Sequence, residues 1–195
     1  MTVNSPNLKL EIGGQEIERI GENCQTKYFK FVGMLVDECN TWKYHKKYIA
    51  NKLASANFIL ARSKNHLPPY LRKTLYNTLF RPYMDYGVVA WGNSQGPDIK
   101  RIINLQKKAI RNVSGKPPLS HTNQLFVQWG LLKFNDSFKF ECSKLMHQYL
   151  HNNLPASFNH FFNPLSQPNR TNGFILDKTR TKTLQNFPSF SLPNI

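Results

Sequence analysis

The chain has 195 residues, 40% of them hydrophobic, and a formal net charge of +15. This length allows one domain with a tail, and the apolar fraction is large enough to build a core. No apolar run reaches the roughly 20 residues that a bilayer-spanning helix needs, and the first residues lack the pattern of a signal peptide. Three scattered cysteines indicate reduced thiols, so we expect an intracellular protein, in the cytoplasm or nucleus, that is not secreted.

The positive charge is unevenly distributed along the chain. Residues 39–195 hold 22 of the 26 Lys and Arg residues but only five of the 11 Asp and Glu residues, and residues 40–84 contain no acidic residue. A folded segment with this imbalance favours a polyanionic partner, either nucleic acid or an anionic membrane surface, over a basic face that is merely solvated.

The N-terminal residues have the pattern of a small β-sheet. Residues 8–12 alternate with period two, Gly13-Gly14 is typical of a two-residue turn, and residues 17–20 supply a short partner strand, which predicts a hairpin over 7–20. The stretch 28–36 alternates aromatic and basic residues before an apolar run. It predicts one further strand with a well-buried face, which can extend the hairpin into a sheet.

Helical spacing begins after Thr41, where Asn40-Thr41 is a candidate cap. One apolar stripe runs along this first helix: Ile49, Leu53, Ala56 and Leu60. A second helix from about Tyr70 should be kinked or broken at Pro82, whose ring clashes with the carbonyl four residues earlier. The aromatic-rich residues 83–92 follow, and base rates favour packing of these rings in the core over stacking on nucleic-acid bases.

The most informative helix runs from Ile99 to about Val113. At about 100° per residue its cations fall within one arc of roughly 120°, opposite the apolar residues. The arc holds Lys100, Arg101, Lys107, Lys108 and Arg111. No acidic residue follows Asp98 on this helix, so we predict that the row tracks a phosphate backbone. Lys46 and Lys47 lie off the apolar stripe of the first helix and are predicted to bind nucleic acid together with this row of cations.

The remaining elements suggest no catalytic chemistry. A cap at residues 120–122 predicts a short helix, and a last long helix begins near Phe134 and ends near Leu150. Ser120-His121 lacks an orienting acid, and the His147/His151 pair lacks a third ligand, so we predict neither a catalytic residue nor a metal ligand. Residues 165–195, rich in Asn, Ser, Pro and Phe, predict a mostly irregular tail.

Four segments carry motifs that recur together in one family. They are TKYFKFVGMLVDECNTWKYH at 26–45, RPYMDYGVVAW at 81–91, LQKKAIR at 105–111 and HTNQLF at 121–126. Together they resemble the reverse transcriptases of non-LTR, jockey-like retrotransposons, where the first segment joins palm to thumb and the others lie in the thumb. The resemblance covers residues 27–165 well and the tail only weakly.

The resemblance assigns a role to the triplet at 31–33. In the family this triplet belongs to the region that holds the primer end, and here Val32 replaces the usual Leu. Lys30, Phe31 and Gly33 are therefore predicted to bind nucleic acid. Because Gly33 would stand where backbone approaches the primer, we expect substitution there to be more damaging than at Gly87.

Periodicity and resemblance together predict an α+β, mostly α-helical fold. Residues 1–40 form a palm-edge β segment with a short N-terminal hairpin or sheet, 41–155 a thumb-like helical bundle, and 156–195 a mostly irregular basic tail.

The function follows from what the resemblance supplies and what the sequence lacks. The parent enzyme would be an RNA-directed DNA polymerase that uses two Mg²⁺ ions held by palm aspartates, one of them in an aromatic-Ala-Asp-Asp turn. The chain contains no such turn, and its adjacent acids, Asp37 and Glu38, should point to opposite faces of a strand. We expect a fragment that binds an RNA or DNA primer–template, holds no cofactor, is inactive alone, and has the palm and fingers of the polymerase as a partner.

The alternative is a non-catalytic protein-interaction module. In that case the aromatic and apolar helix faces would be an exposed interface that docks onto another protein, whereas a role at a membrane surface ranks third. Nucleic-acid binding through basic faces should weaken steeply with salt, and apolar docking should not.

Overall fold

The computed structural model describes residues 10–17, 20–21, 24–94, 96–158, 163–164 and 174–175. In this part of the chain two β-hairpins precede a set of packed helices, which confirms the predicted α+β, mostly α-helical fold. Most of the predicted tail at 156–195 lies outside the described residues. Within it the structure gives a 3₁₀ turn at Ala156–Phe158 and two short paired strands, Asn163–Pro164 and Phe174–Ile175.

The first hairpin is the one that the sequence predicts. Strand β1 (Leu10–Ile12) pairs antiparallel with β2 (Gln15–Ile17), and Leu10 lies opposite Ile17. Gly13 and Gly14 turn the chain with φ of 61° and 77°, values that a glycine adopts without steric cost.

The predicted single strand at 28–36 is wrong, because the chain reverses inside it. Strand β3 (Phe29–Phe31) pairs antiparallel with β4 (Met34–Val36), and Val32-Gly33 form the turn with φ of 45° and 80°. This second hairpin is a separate two-stranded sheet among the described residues, so it does not extend the first. Its aromatic side chains are exposed as a result: Phe29 is 52% and Phe31 57% accessible.

Asp37 joins the second hairpin to the first helix. It lies in the turn after β4, where one carboxylate oxygen accepts hydrogen bonds from the backbone N and Oγ1 of Thr41 at 2.9 and 3.1 Å. Helix α1 (Lys43–Ser63) then begins after Trp42, whose φ is 59°. The expectation that Asp37 and Glu38 lie in a strand is therefore wrong, and Thr41 stands one residue ahead of the capping position.

The next helical segment is irregular just before Pro82, which lies in the first turn of the helix that follows, whereas the prediction placed a kink or break at Pro82 itself. Helix α2 (Pro69–Leu75) continues into a π-helical turn at Tyr76–Phe80, which shifts the hydrogen-bond register before α3 (Arg81–Asp85). Helix α4 (Val88–Trp91) follows after a break at Tyr86. The aromatic-rich stretch is divided between core and surface, since Trp91 is fully buried and Tyr83 is 38% exposed.

Three further helices complete the bundle. Helix α5 (Pro97–Ser114) packs along α1, and it is followed by α6 (Asn123–Trp129) and α7 (Phe134–Leu150). The four residues of the predicted α1 stripe are all buried, which confirms that stripe. The centre of the core is aromatic and is formed by Tyr76, Phe80, Trp91 and Phe134.

Two contacts fix the second hairpin against the helices. The hydroxyl of Tyr86 donates a hydrogen bond to the carbonyl of Val32 at the turn. The backbone N of Leu35 donates to Nδ1 of His45 at 3.4 Å, and His45 is fully buried beside Trp91. The exposed turn of the hairpin is thereby positioned relative to α1 and α3.

Candidate nucleic-acid interface

The five cations predicted on the 99–113 helix lie on one side of α5. Lys100, Arg101, Lys107 and Lys108 are exposed, and Arg111 is half-buried. The opposite side faces the core, where four residues have no accessible surface: Ile102, Ala109, Ile110 and Val113. The separation of cationic and apolar faces is therefore as predicted, and the α5 cations form a row on a helix that packing holds rigidly.

Helix α1 borders one edge of this row. Arg101 Nη2 lies 3.3 Å from Oδ1 of Asn51, and Nδ2 of Asn57 donates to the carbonyl of Leu105 at 2.9 Å. These contacts place Asn51 beside the α5 cations, and Lys47 is exposed one turn before Asn51 on α1.

A pocket borders the other edge. It has a volume of about 350 Å³ and lies between α5 and the first residues of α6 and α7. Lys107 and Lys133 both line it, together with Asn123 and Asp136. The cationic surface of α5 therefore continues toward the start of α7.

Gln106 holds α5 in this position, a role that was not predicted from the sequence. It is 1% exposed, and its Nε2 donates to the hydroxyl of Tyr76 at 3.0 Å and to the carbonyl of Leu132 at 2.9 Å. Its Oε1 accepts from the backbone N of Phe134, the first residue of α7, at 2.8 Å. Burial raises the pKa of Tyr76 to about 12, so this hydroxyl stays protonated. The sequence does indicate such a role, because Gln106 is a polar residue within the apolar arc of an amphipathic helix.

Two arginines also have structural partners near the end of α5. Nε of Arg111 donates to the carbonyl of Ser120 at 2.9 Å. Arg72, which is 5% exposed, donates from Nη1 to the carbonyl of Asn112 at 2.9 Å. Arg111 thus connects α5 to the loop before α6, so its substitution would alter more than surface charge.

Lys46 does not belong to the exposed cations, contrary to expectation. It is only 6% exposed; burial lowers its pKa, while the charges of Asp98 and Asp37 raise it. The reason is visible in the sequence: Lys46 precedes Ala50 and Leu53 by four and seven residues and shares their buried face. We therefore leave Lys46 out of the candidate interface.

The residues assigned by resemblance meet at the turn of the second hairpin. Lys30 and Phe31 are exposed at the end of β3, and Gly33 occupies the turn itself. A Cβ added to Gly33 would lie 3.5 Å from the ring of Tyr86, an ordinary contact distance. Because α1 packs against both β4 and α5, it connects this hairpin group to the α5 cations.

The described part of the chain contains no cluster of side chains that could bind a metal ion. No three His, Cys, Asp or Glu side chains there are arranged to hold a metal ion. His147 and His151 stack with ring centroids 4.1 Å apart, and Nδ1 of His151 lies 2.8 Å from the carbonyl of His147. The described residues therefore do not fit the Mg²⁺ pair of a complete polymerase, and we assign them no catalytic step.

Among the described helices, none combines the length and the apolar composition that crossing a membrane requires.

Comparison with curated proteins agrees with the resemblance. Over 129 residues, 64% of the chain, it is 23% identical to the RNA-directed DNA polymerase from mobile element jockey of Drosophila funebris. Over 89 residues, 44% of the chain, it is 29% identical to the probable RNA-directed DNA polymerase from transposon X-element of Drosophila melanogaster. The jockey polymerase of Drosophila melanogaster is 23% identical over 122 residues, 60% of the chain.

These relatives are much longer than the region that they share with the chain, which covers 14%, 10% and 13% of their respective lengths. No protein-family model and no solved structure matches the chain. The predicted similarity to reverse transcriptases of jockey-like, non-LTR retrotransposons is confirmed by the three relatives.

Proposed function

We propose that the chain is the palm-edge and thumb portion of a non-LTR retrotransposon reverse transcriptase and that it binds an RNA or DNA primer–template without extending the primer itself. In this proposal residues 1–40 form the palm edge, 41–155 the thumb, and 156–195 a basic tail.

The exposed cationic face of α5 is the observation that carries this proposal. A helix buried on one side and lined by Lys100, Arg101, Lys107 and Lys108 on the other presents fixed charges to a phosphate backbone. Acidic neighbours would normally be mixed into a solvated helix surface to form pairs four residues apart, and none follows Asp98 on α5. Phosphate contacts of this kind position a duplex without reading its sequence, which suits a polymerase thumb.

The second hairpin supports the palm-edge assignment. Lys30 and Phe31 stand exposed beside a turn that Tyr86 holds from the helical part of the chain. A cation and an aromatic ring on a rigid turn can contact the phosphate and the terminal base of a primer end.

The nucleotidyl-transfer chemistry would come from the rest of a polymerase. The sequence has no aromatic-Ala-Asp-Asp turn, and the described residues offer no carboxylate cluster for two divalent ions. We therefore propose the palm and fingers as the chain's protein partner. Its three cysteines are free thiols, which suits a reducing intracellular compartment, the cytoplasm or nucleus.

A second candidate, the protein-interaction module, rests on exposed apolar side chains. Leu119 is 94% exposed before α6, Val127 is 83% exposed in the second half of α6, and Phe58 is 63% exposed on α1. In this candidate, exposed apolar side chains such as these would dock onto another protein.

Salt dependence distinguishes the two candidates. Fluorescence anisotropy of a labelled primer–template duplex, measured at several salt concentrations, should show binding that weakens steeply as salt rises. Binding that is absent at low salt would contradict the proposal and leave the protein-interaction module as the candidate.

In a parallel assay with Mg²⁺ or Mn²⁺ and nucleotides, the pure chain should not extend the primer. Template-dependent extension would contradict the assignment of chemistry to the rest of the polymerase.

A further inference from the structure

Helix α1 presents a row of aromatic rings and lysines that the spacing of its own residues does not fully reveal. Tyr44, Tyr48 and Lys52 are spaced four residues apart and share one face of the helix. Nζ of Lys52 lies 5.5 Å from the ring centroid of Tyr48 and 6.0 Å from that of Tyr83 on α3. At the other end, the ring of Tyr28 lies 5.2 Å from that of Tyr44. Four tyrosines from three parts of the chain are thus brought together along α1.

Three rings of this tyrosine row are exposed, and the ring of Tyr44 is half-buried. Tyr28, Tyr48 and Tyr83 are 42%, 39% and 38% exposed, so they are not sealed in the core. Nζ of Lys43 lies 5.7 Å from the centroid of Tyr44, which places a second ammonium group in the row. Helix α1 contains no Asp or Glu, so the charged side chains that α1 itself places beside the rings are all positive.

Aromatic rings interleaved with cations match the two surfaces of an unpaired nucleotide. A base in single-stranded nucleic acid has a free face that can stack on a tyrosine, and its phosphate can contact a nearby ammonium. Bases inside a duplex are already stacked on one another and offer no such face. We propose that the tyrosine row, Tyr28, Tyr44, Tyr48 and Tyr83, binds single-stranded nucleic acid by base stacking, with Lys43 and Lys52 contacting its phosphates.

The dimensions of α1 set the length of the strand. Tyr44 and Lys52 are separated by about 12 Å along the helix axis at 1.5 Å per residue. At about 3.4 Å per stacked nucleotide, this length accommodates roughly three to four nucleotides.

The inference rests on the proposed function in one respect, because it identifies the strand as the unpaired template beyond the duplex. Asn51, which contacts Arg101 of α5, directly precedes Lys52 in the tyrosine row. A template strand leaving a duplex on the α5 cations would therefore reach the tyrosine row directly.

The test removes two rings while keeping apolar side chains. The Tyr48→Leu/Tyr83→Leu double variant is titrated by fluorescence anisotropy against a 12-nucleotide oligo(dT) and a blunt 12-base-pair duplex. Oligo(dT) binding should weaken by about tenfold or more, because each base–ring stack contributes at least several-fold to affinity, while duplex binding should not change. The Tyr48→Phe/Tyr83→Phe variant, which keeps both rings, should bind as wild type does. Tyr70→Leu, at a 66% exposed tyrosine on α2, is the matched control and should also bind normally.

Three results would overturn the inference: the leucine variant binds oligo(dT) as wild type does, the phenylalanine variant loses as much affinity as the leucine variant, or duplex and single-strand binding fall equally. Circular dichroism checks folding, and if the double variant does not fold, the single Tyr48→Leu variant decides. Ring-dependent oligo(dT) binding by a chain that binds no duplex would leave this inference standing and contradict the proposed primer–template function.

Discussion

Replacing Gln106 with Leu should destabilise the fold by removing the connection among three elements. The glutamine side chain bonds Tyr76 in the π-helical turn, Leu132 before α7 and Phe134 at the start of α7. A leucine of similar size fills the same space but cannot donate or accept a hydrogen bond.

The size of the destabilisation follows from the backbone groups that lose their hydrogen bonds to Gln106. The carbonyl of Leu132 and the backbone N of Phe134 would each lose a buried partner, at about 1–3 kcal/mol per group. The leucine gains part of this back through its apolar surface. We expect a net loss of about 3 kcal/mol in the free energy of unfolding, a large share of the stability of a single domain. Tyr76→Phe removes only one of the three bonds and should cost about 1 kcal/mol.

Urea denaturation followed by circular dichroism measures this loss. Gln124→Leu on the exposed side of α6 is the matched control and should change the free energy of unfolding by less than about 0.5 kcal/mol. If Gln106→Leu falls within about 0.5 kcal/mol of that control, then Gln106 does not hold α5 and α7 together, and apolar packing alone holds the α5 cations in place.

Three further predictions concern buried or strained positions. Burial lowers the pKa of His45 from 6.5 to about 4, so as the pH falls the unfolded chain is protonated before the folded chain. The free energy of unfolding should therefore fall by about 3 kcal/mol from pH 6.5 to pH 4. In urea titrations His45→Phe should weaken this pH dependence, and an unchanged pH dependence would refute the attribution to His45. Burial raises the pKa of the Cys142 thiol to about 12, so iodoacetamide at pH 8 should alkylate exposed Cys39 in the native protein and Cys142 only after unfolding, as mass spectrometry would report. A Cβ at Gly87 would lie 2.6 Å from the sulfur of Met34, whereas a Cβ at Gly33 would lie 3.5 Å from its nearest atom, and φ is positive at both glycines. Gly87→Ala should therefore lower the melting temperature at least as much as Gly33→Ala does. The opposite order would support the expectation from the resemblance, that substitution at Gly33 is the more damaging.

The helices could be predicted because their apolar residues repeat with the helical period. The stripe on α1, the irregularity near Pro82 and the two faces of α5 all follow from local spacing. The second hairpin could not, since the aromatic, basic and apolar residues of 28–36 have the composition of one continuous strand. Its turn uses Val32 at a positive φ, which no turn signal in the sequence indicates.

The site was predictable only where one helix determines it. The direction of Lys100, Lys107 and Lys108 follows from the α5 pattern alone. Lys46 was misjudged although its spacing from Ala50 and Leu53 places it on the buried face of α1. The tyrosine row could not be predicted from spacing alone, since Tyr83 comes close to α1 only after folding.

The central claim is that the exposed cations of α5 contact the phosphates of a bound duplex. The Lys100→Gln/Lys108→Gln variant is compared with a control that removes two exposed lysines from α7, Lys139→Gln/Lys144→Gln. In salt titrations with a B-form primer–template, the slope of log affinity against log salt should flatten by about 1.8 for the α5 variant, because each lost contact contributes about 0.9. The α7 control should keep the wild-type slope. Parallel slopes and equal affinities for both variants and wild type would mean that the α5 face does not contact nucleic acid, and would contradict the claim.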